Sequence, residues 1–497
     1  RDNQMVNWLD NNSNQGSDRI SANAKASWLK KLNGNKTVFK IAGNGSLSQS
    51  LTNQQWQNKT FFAATDLESL ESLYQANQID NLSYSGNLSV TQRLGKRIYI
   101  VPQISASSSQ ESLVRTQGFP YPNDAVIDSL SPSFDRLYDR IQPKLTIKRS
   151  SDKLQLNLFL NSEWYKTQNF LWDDAGTEKS QFVFLPGFSV DYEYNTGKRL
   201  NLIYRSSLVQ PTINQLLPIA NTTNTLSTSY GNRNLKPEHQ QSAFLHWIIF
   251  DQFSFTSLFT GINATYTRDK INWSRTINDQ LGQTLNLVNV DDDFRVSGNM
   301  DFSTPIRKLG IKINAGLSES WNKGINLVNG VENVNTNLSH RFSLSVDNRI
   351  KKKWDVVAGG AISVTDAKYS LQESLNNRYT NLSYFTEIRF NPNDKWDFMV
   401  SADVTNYNDQ SFGESISVPL IAAEISYFFL KNNRGSLSLQ GADLLNKNTG
   451  VQRISELNYL RETRSNIIGR YVMLSFKYRL NKMSGNSGGM EIKMKHR

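Results

Sequence analysis

The sequence of 497 residues contains no cysteine and only four histidines. Without cysteine there are no disulfide frameworks and no cysteine-based metal sites. No stretch approaches the roughly 18 consecutive apolar residues of a membrane-spanning helix, and the first residues lack the basic-then-apolar layout of a secretion signal. The chain is therefore either soluble or spans a membrane as strands.

The histidines offer no metal site. His239 and His246 are seven positions apart, which places them on opposite faces of a strand, and neither has a ligand partner at a useful spacing. No other arrangement of residues suggests catalysis. The sequence predicts that the protein is not an enzyme, with no catalytic residue and no cofactor.

Alternating side chains favour strands. The hydrophobic fraction is 38% and the aromatic fraction 11%, which is too high for a disordered chain. In YVMLSFKYRL, Val472, Leu474 and Phe476 share one parity, while Ser475 and Lys477 share the other. The same period of two recurs in KLQLNLFLN, and it predicts strands with one apolar and one polar face. A soluble sandwich would show this pattern as well.

The lengths of the connections between strands distinguish a soluble sandwich from a membrane barrel. Short turns with hairpin chemistry are predicted at nine places: 33–35, 94–96, 150–153, 196–198, 251–253, 305–310, 351–353, 391–395 and 431–435. Long polar segments alternate with them, at about 44–80, 111–136, 208–236, 269–290 and 447–468. Short periplasmic turns and long extracellular loops are typical of outer-membrane barrels. The predicted fold class is all-β, a large antiparallel transmembrane β-barrel.

The strand count predicts a longer barrel. About nineteen strands are visible in the sequence, whereas single-chain bacterial barrels have an even number with both ends in the periplasm. The first visible strand, about 22–32, runs toward the periplasm. We therefore expect at least one further strand before it.

Two stretches resemble a known family. Gly231, Asn232, Asn234, Leu235, Pro237 and Glu238 follow the pattern G-N-x-x-L-x-P-E. Arg205, Pro211 and Leu216 precede this pattern, and the chain nears its end with RYVMLSFKYRLNK at 470–482. Both stretches resemble TonB-dependent receptors, and most of all the Bacteroidota-type outer-membrane β-barrel family.

The resemblance implies a barrel of about 22 strands in the bacterial cell outer membrane. It also implies an upstream plug, a segment that contacts the TonB system, and import of an external ligand. Residues 1–480 would form the barrel and 481–497 a flexible, basic periplasmic tail. Two alternatives stay open. One is a barrel subunit of a multi-protein outer-membrane assembly or export complex without transport activity, and the other is a secreted soluble β protein.

Three sets of residues are candidates for a site. The signature from Gly231 to Glu238 suggests a structural junction, with positive φ at Gly231 and Asn234, a stiff strand entry at Pro237, and a hydrogen-bond acceptor at Glu238. A ligand-binding loop is predicted at Trp172, Asp173 and Asp174, although an interfacial tryptophan beside a wet loop would look the same. A run of carboxylates, Asp291, Asp292 and Asp293, could hold a divalent cation or could be a solvated rim.

The net charge of +11 does not indicate nucleic-acid binding in this sequence. The basic residues lie at turns, on the polar strand parity and in the C-terminal tail rather than on one platform. The predicted partners are therefore outer-membrane lipids and lipopolysaccharide, with no nucleic acid. The resemblance adds the TonB system and a surface lipoprotein or other outer-membrane subunits.

The sorting of connections predicts the topology. Epitope tags inserted at 208–236, 269–290 or 447–468 should be reached by antibodies on intact cells, because these segments are expected outside. Tags at 196–198, at 351–353 or after Leu480 should need permeabilised cells. A tag after Leu480 that is accessible on intact cells would contradict the orientation.

Overall fold

The computed structural model describes residues 7–63, 66–120, 125–172, 174–176, 178–278, 282–348, 350–409, 415–448, 450–456, 459–464 and 467–479. Within these ranges the chain is nearly all β, with 25 strands and one four-residue helix, α1 (Ile213–Leu216). No helix in this part of the chain is long and apolar enough to cross a membrane.

The strands follow one another with few interruptions. In chain order they are β1 Asn7–Leu32, β2 Thr37–Phe62, β3 Leu67–Arg93, β4 Ile98–Gly118, β5 Ser133–Ser150, β6 Leu154–Leu171, β7 Asp174–Ala175, β8 Lys179–Asn195, β9 Lys198–Val209, β10 Ser227–Tyr230, β11 Glu238–Asp251, β12 Thr256–Arg268, β13 Lys270–Ile277, β14 Gln283–Val290, β15 Asp293–Ile306, β16 Ile311–Val328, β17 Val331–Asn348, β18 Trp354–Tyr369, β19 Asn377–Asn393, β20 Trp396–Asp409, β21 Ile416–Phe429, β22 Gly435–Ala442, β23 Val451–Glu456, β24 Tyr459–Arg464 and β25 Tyr471–Tyr478.

Most strands belong to one sheet. It contains 23 of the described strands, and β23 and β24 form a separate hairpin. Four strands of the large sheet belong to connections: β7 has only two residues, and β10, β13 and β14 lie in the predicted loops at 208–236 and 269–290. The nineteen that remain among the described residues match the number predicted from the sequence.

The chain divides into two compact units. The first comprises Arg1–Asp301, Leu317–His340 and Thr365–Asn377. In it, β1 to β6, β8, β9, β11 and β12 are each antiparallel to the next in that order. The second comprises Phe302–Gly316, Arg341–Val364 and Arg378–Arg497, and within it β19 to β22 and β25 pair in the same way.

The nine predicted turns are confirmed. Each falls at the connection of two consecutive long strands; for example, β8 ends at Asn195 and β9 begins at Lys198. The left-handed backbone that such turns need is supplied by Gly197, with a φ of 73°, and by Asn33, Gly34 and Asn35 in the first turn. The turn chemistry in the sequence therefore located these hairpins correctly.

The first long loop was predicted wrongly. The segment 44–80 is strand over most of its length, because β2 continues to Phe62 and β3 begins at Leu67. Likewise β1 begins at Asn7 instead of near residue 22. Polar side chains on both faces conceal the period of two, yet they pair across the ladder, as with Asn23 Nδ2 and Asn44 Oδ1 at 3.2 Å.

The strict alternation of short and long connections is therefore also wrong. The connection between β2 and β3 is short, and β16 joins β17 through Asn329 and Gly330 alone. The segment 269–290 is a hairpin of β13 and β14, and 447–468 contains the hairpin of β23 and β24. The predicted tail at 481–497 lies outside the described residues.

The two faces of the strands have the predicted character. In the register of β6 and β8, Leu158 lies opposite Phe188, and both are more than one third exposed. On the other face, Asn157 lies opposite Ser189 and its Nδ2 donates to the serine Oγ at 2.9 Å. A sheet that is apolar on one face and polar on the other suits a wall between lipid and water.

An arginine should therefore be tolerated on one face only. We expect Leu158→Arg to lower the free energy of unfolding in lipid vesicles by about 2 to 4 kcal/mol, because it places a charge against hydrocarbon. Asn157→Arg, one residue away on the polar face, is the matched control and should cost much less. Equal losses for the two variants would contradict the assignment of the faces.

Candidate functional site

The connection between β9 and β11 is itself folded. This segment, residues 210–237, is called the folded loop below. Its helix α1 is closed by a capping box, in which Gln215 N donates to Thr212 Oγ1 and Thr212 N donates to Gln215 Oε1. Further along, β10 gives the loop a short strand of its own. The loop is therefore an ordered element.

The folded loop lies across the polar face of the first unit. Strand β2 is six strand-to-strand steps from β9 in the ladder, which is about 29 Å along the sheet. Nevertheless Thr225 Oγ1 lies 2.6 Å from Thr60 Oγ1 in β2. The loop must cross the polar faces of the strands between them to make this contact.

Several buried polar side chains hold the loop there. Arg136 Nη1 donates to Pro211 O at 2.6 Å, Gln117 Nε2 to Thr222 Oγ1 at 2.8 Å, and Asn58 Nδ2 to Thr223 O at 3.3 Å. All three donors are nearly inaccessible to solvent. Breaking one such bond while the loop stays in place and excludes water would leave a buried polar group without a partner, at a cost of about 1 to 3 kcal/mol.

An apolar cluster fixes the base of the loop. Ile213, Leu216 and Leu217 of the loop are buried against Leu113 of β4 and Phe134 of β5. The cluster also contains Leu171, Leu235, Ile271 and Leu287. Burial of these side chains stabilises the loop on the sheet through the hydrophobic effect.

The hairpin of β13 and β14 supports the loop on its other side. β10 pairs with β14 in parallel, from Ser227 opposite Gln283 to Tyr230 opposite Asn286. Asn232 Nδ2 donates to Leu287 O at 2.9 Å. Two further bonds join the backbone of Lys236 to the side-chain amide of Asn289. The loop is thus held from both sides.

The signature residues make these contacts possible. Gly231 N donates to Leu217 O at 3.0 Å, and a Cβ on Gly231 would lie 2.3 Å from that oxygen. The expected positive φ at Gly231 and Asn234 is wrong, since neither residue has one. Close approach of two backbones is the reason for glycine here. Asn234 N instead donates to Asn232 Oδ1 at 2.8 Å.

The end of the signature joins the loop to the ladder. Pro237 directly precedes β11, and Leu235 is buried in the apolar cluster. The buried Glu238 accepts from Lys270 Nζ at 2.7 Å and from Ile271 N at 2.9 Å. The carboxylate thereby ties the first residue of β11 to the start of β13.

The predicted ligand loop is only partly described. Trp172 has a φ of 48° and is about half exposed. Asp173 lies outside the described residues, and Asp174 is mostly exposed, with Oδ2 at 3.7 Å from Arg233 Nη1. Arg233, Asn234, Asn169 and Lys179 line a cavity of about 330 Å³ with Asp174, so ligand binding there stays a prediction.

The three consecutive aspartates have separate partners. Asp291 Oδ1 accepts from Asp269 N at 3.1 Å, Asp292 Oδ1 from Tyr266 Oη at 3.2 Å, and Asp293 Oδ1 lies 3.2 Å from Arg295 Nε. Within the described residues, no group of three or more histidine, aspartate or glutamate side chains could hold a metal ion. The structure does not bring these carboxylates together as a cation site.

A larger cavity lies between the folded loop and the wall. Its volume is about 480 Å³, within the usual range of small-molecule sites. Its polar and aromatic lining includes amides, one guanidinium and two rings, namely Gln75, Asn77, Asn214, Gln215, Asn221, Asn272, Arg115, Tyr230 and Trp273, and four aliphatic side chains also line it, namely Leu217, Ile219, Ile271 and Leu287. Such a lining can donate and accept hydrogen bonds and can pack against the flat face of a polar solute. These residues could not be grouped from the sequence alone, since they come from the folded loop and from β3, β4, β13 and β14, which are far apart in the chain.

Long antiparallel strands with one apolar and one polar face fit a transmembrane β-barrel. The chain belongs to the Outer membrane protein beta-barrel family, whose sequence profile matches residues 145–478. This membership confirms the predicted fold class and the outer-membrane location, while the assignment to Bacteroidota stays a prediction. Among curated proteins, no significant match to the chain was found.

Solved structures of transporters are similar at low identity. The copper transporter OprC is 11% identical, with 83% of this chain and 74% of that chain covered and a TM-score of 0.43. BauA, the ferric preacinetobactin receptor from Acinetobacter baumannii, is 9% identical, with 95% and 79% covered and a TM-score of 0.39. The outer membrane transporter YddB from Escherichia coli is 9% identical, with 93% and 75% covered and a TM-score of 0.36.

Substitution of Gly231 tests the close approach. We expect Gly231→Ala to destabilise the folded loop by about 1 to 3 kcal/mol, because the methyl group forces the two backbones apart. Limited proteolysis within 210–237 should become faster. Gly45→Ala, whose Cβ would meet nothing within 4 Å, is the matched control. Unchanged proteolysis of Gly231→Ala would contradict the argument.

Proposed function

We propose that the chain forms the wall of an outer-membrane receptor that admits a polar solute from outside, with the folded loop as its internal constriction. The observation that carries the proposal is the position of this loop, which crosses the polar face instead of extending away from the strand ends. A solute moving along that face meets the loop. An element in this place controls what passes.

The contacts of the loop support a gating role. The distal part of the loop is connected to β2 and β4 by hydrogen bonds of Ala220, Thr222, Thr223 and Thr225, which water or a polar solute could replace. Its base, in contrast, is held by the apolar cluster around Leu216 and Leu217. The distal part can therefore move away from the wall while the base stays fixed.

The cavity supports a polar ligand. Amide groups outnumber charged ones in its lining, and Arg115 contributes the one guanidinium among the residues around it. Arg115 is already engaged, with Nε donating to Asn77 Oδ1 at 3.1 Å. The solute class that fits best is a hydroxyl- or amide-rich molecule with at most one anionic group. Coupling of import to the TonB system stays a prediction of the sequence resemblance.

An engineered disulfide between the folded loop and β2 tests whether movement of the loop controls entry. Because the chain has no cysteine, Thr60→Cys with Thr225→Cys introduces its only thiols, at positions whose hydroxyls lie 2.6 Å apart. We expect the disulfide to lower solute entry into proteoliposomes, measured by swelling in neutral sugars of graded size. Reduction should restore entry.

The control pair joins residues that do not involve the loop. Ser46→Cys with Ser83→Cys uses hydroxyls 2.6 Å apart on neighbouring strands, so its disulfide should leave entry unchanged. Equal entry into oxidised and reduced vesicles of the Thr60 and Thr225 variant would contradict the gate. That result would favour the alternative of a barrel subunit in an outer-membrane assembly.

A further inference from the structure

Strands β8 and β9 separate at their ends near the folded loop. They pair from Gly187 opposite Arg205 to Asn195 opposite Lys198. Beyond Gly187, residues 179–186 of β8 pair only with β6, and residues 206–209 of β9 pair only with β11. The first unit therefore contains a gap bordered by two open strand edges among its described residues.

The gap lies beyond the membrane. The paired part of β8, 187–195, has roughly the nine to eleven residues that a strand needs to cross the hydrocarbon core. Open sheet edges are not exposed to lipid within that core, since their backbone groups would lack partners. The open edge consequently lies outside the bilayer, on the side of the long loops.

The open edge presents backbone donors and acceptors. Glu193 N donates to Lys153 O on the β6 side at 2.8 Å. Backbone groups of successive residues point to opposite sides of a strand, so the N–H groups of Ser180, Phe182 and Phe184 point toward the gap. An edge of this kind is a template for another strand.

One face of the edge is apolar. Phe182 and Phe184 are 63% and 53% exposed, and Phe182 lies opposite Trp164, which is also exposed. These rings lie on the same face of β8 as the lipid-facing side chains. They lie outside the segment 187–195, which is paired with β9 and is long enough to cross the membrane. Water covers them unless another molecule does.

The other side of the gap is cationic. A cavity of about 290 Å³ is lined by Lys179, Lys236, His239, Arg268 and Asp269. Asp269 lies 3.8 Å from Lys236 and 3.5 Å from Arg268, so one carboxylate is shared by two cations. Among the residues that the structure describes, the hydrogen-bond partner of Lys179 Nζ is a backbone oxygen, Arg233 O at 3.4 Å. The charge around the cavity is positive.

We infer that the open edge of β8 binds an extended segment of a partner protein at the cell surface, with apolar and acidic side chains in alternation. Added beside residues 179–185, such a strand completes the edge through backbone hydrogen bonds, and the edge ends at Pro186, which has no N–H to donate. The apolar side chains on one face of the added strand cover Phe182 and Phe184. The acidic side chains on its other face lie close to Lys179. A second copy of this chain fits less well, because its own edge carries the same positive charge.

A synthetic peptide of alternating valine and glutamate, eight residues long, represents the partner. Its binding to the purified full chain in detergent micelles can be followed by fluorescence anisotropy. We expect binding that is lost when every backbone nitrogen of the peptide is methylated, and when lysine replaces glutamate. Absence of binding by the unmodified peptide, or equal binding by the methylated one, would overturn the inference.

Protein variants locate the site. Lys179→Glu and Phe182→Ser should each weaken peptide binding about tenfold or more, the effect of roughly 1.4 kcal/mol. Lys36→Glu, at an exposed turn at the opposite end of the same unit, is the matched control. Equal binding by all three variants would place the peptide elsewhere and reject the edge.

Lipopolysaccharide is the competing occupant, since its phosphates and acyl chains could meet the same lysine and aromatic residues. Displacement of the peptide by lipopolysaccharide vesicles, with vesicle binding lost in Lys179→Glu, would favour the lipid and overturn the inference of a strand. Vesicles that leave peptide binding unchanged would support the strand. Neither result depends on the disulfide lock of the folded loop, so the two proposals can fail separately.

Discussion

The structure depends on one constraint: inside the bilayer, every backbone N–H and C=O must find its partner within the chain. Continuous antiparallel pairing satisfies it, as from β1 to β6. The constraint applies only over the thickness of the hydrocarbon. Beyond that depth water can replace a missing partner, and β8 and β9 are not paired over residues 179–186 of β8. The ladder is obligatory in the membrane and optional outside it.

The same constraint leaves the side chains free to specialise by face. Asn58, Gln117 and Arg136 all face away from lipid, where a buried polar group is stable when it has a partner. The folded loop supplies those partners, and the side chains in turn fix the loop. A polar wall and a folded loop therefore stabilise each other, whereas an apolar wall would bind a loop of this composition poorly.

Local features could be predicted from the sequence, and distant contacts could not. The turn at 196–198 depends on Gly197 and its immediate neighbours, and the two faces of β6 depend on the alternation of apolar and polar side chains. Both features could therefore be predicted from the local sequence. The outer half of β2 was missed because Asn and Gln occupy both of its faces. The contact of Thr60 with Thr225 joins residues 165 positions apart, and nothing in either neighbourhood indicates it. Glycine at 231 was recognised, but the sequence could not distinguish positive φ from close approach.

The junction at Pro237 and Glu238 connects the strand ladder with the folded loop. Glu238 is the first rung between β11 and β9, opposite Val209, and its carboxylate also holds Lys270 and Ile271 at the start of β13. The hairpin that begins there carries β14, on which β10 of the loop is paired. The loop therefore leaves the ladder at Val209 and re-enters it at Glu238. The same glutamate also positions the hairpin of β13 and β14, which supports the loop. Glu238 and Lys270 both lie in strands, so this ion pair fixes the end of the loop to the ladder. The distal threonine contacts are neutral hydrogen bonds, which water can replace.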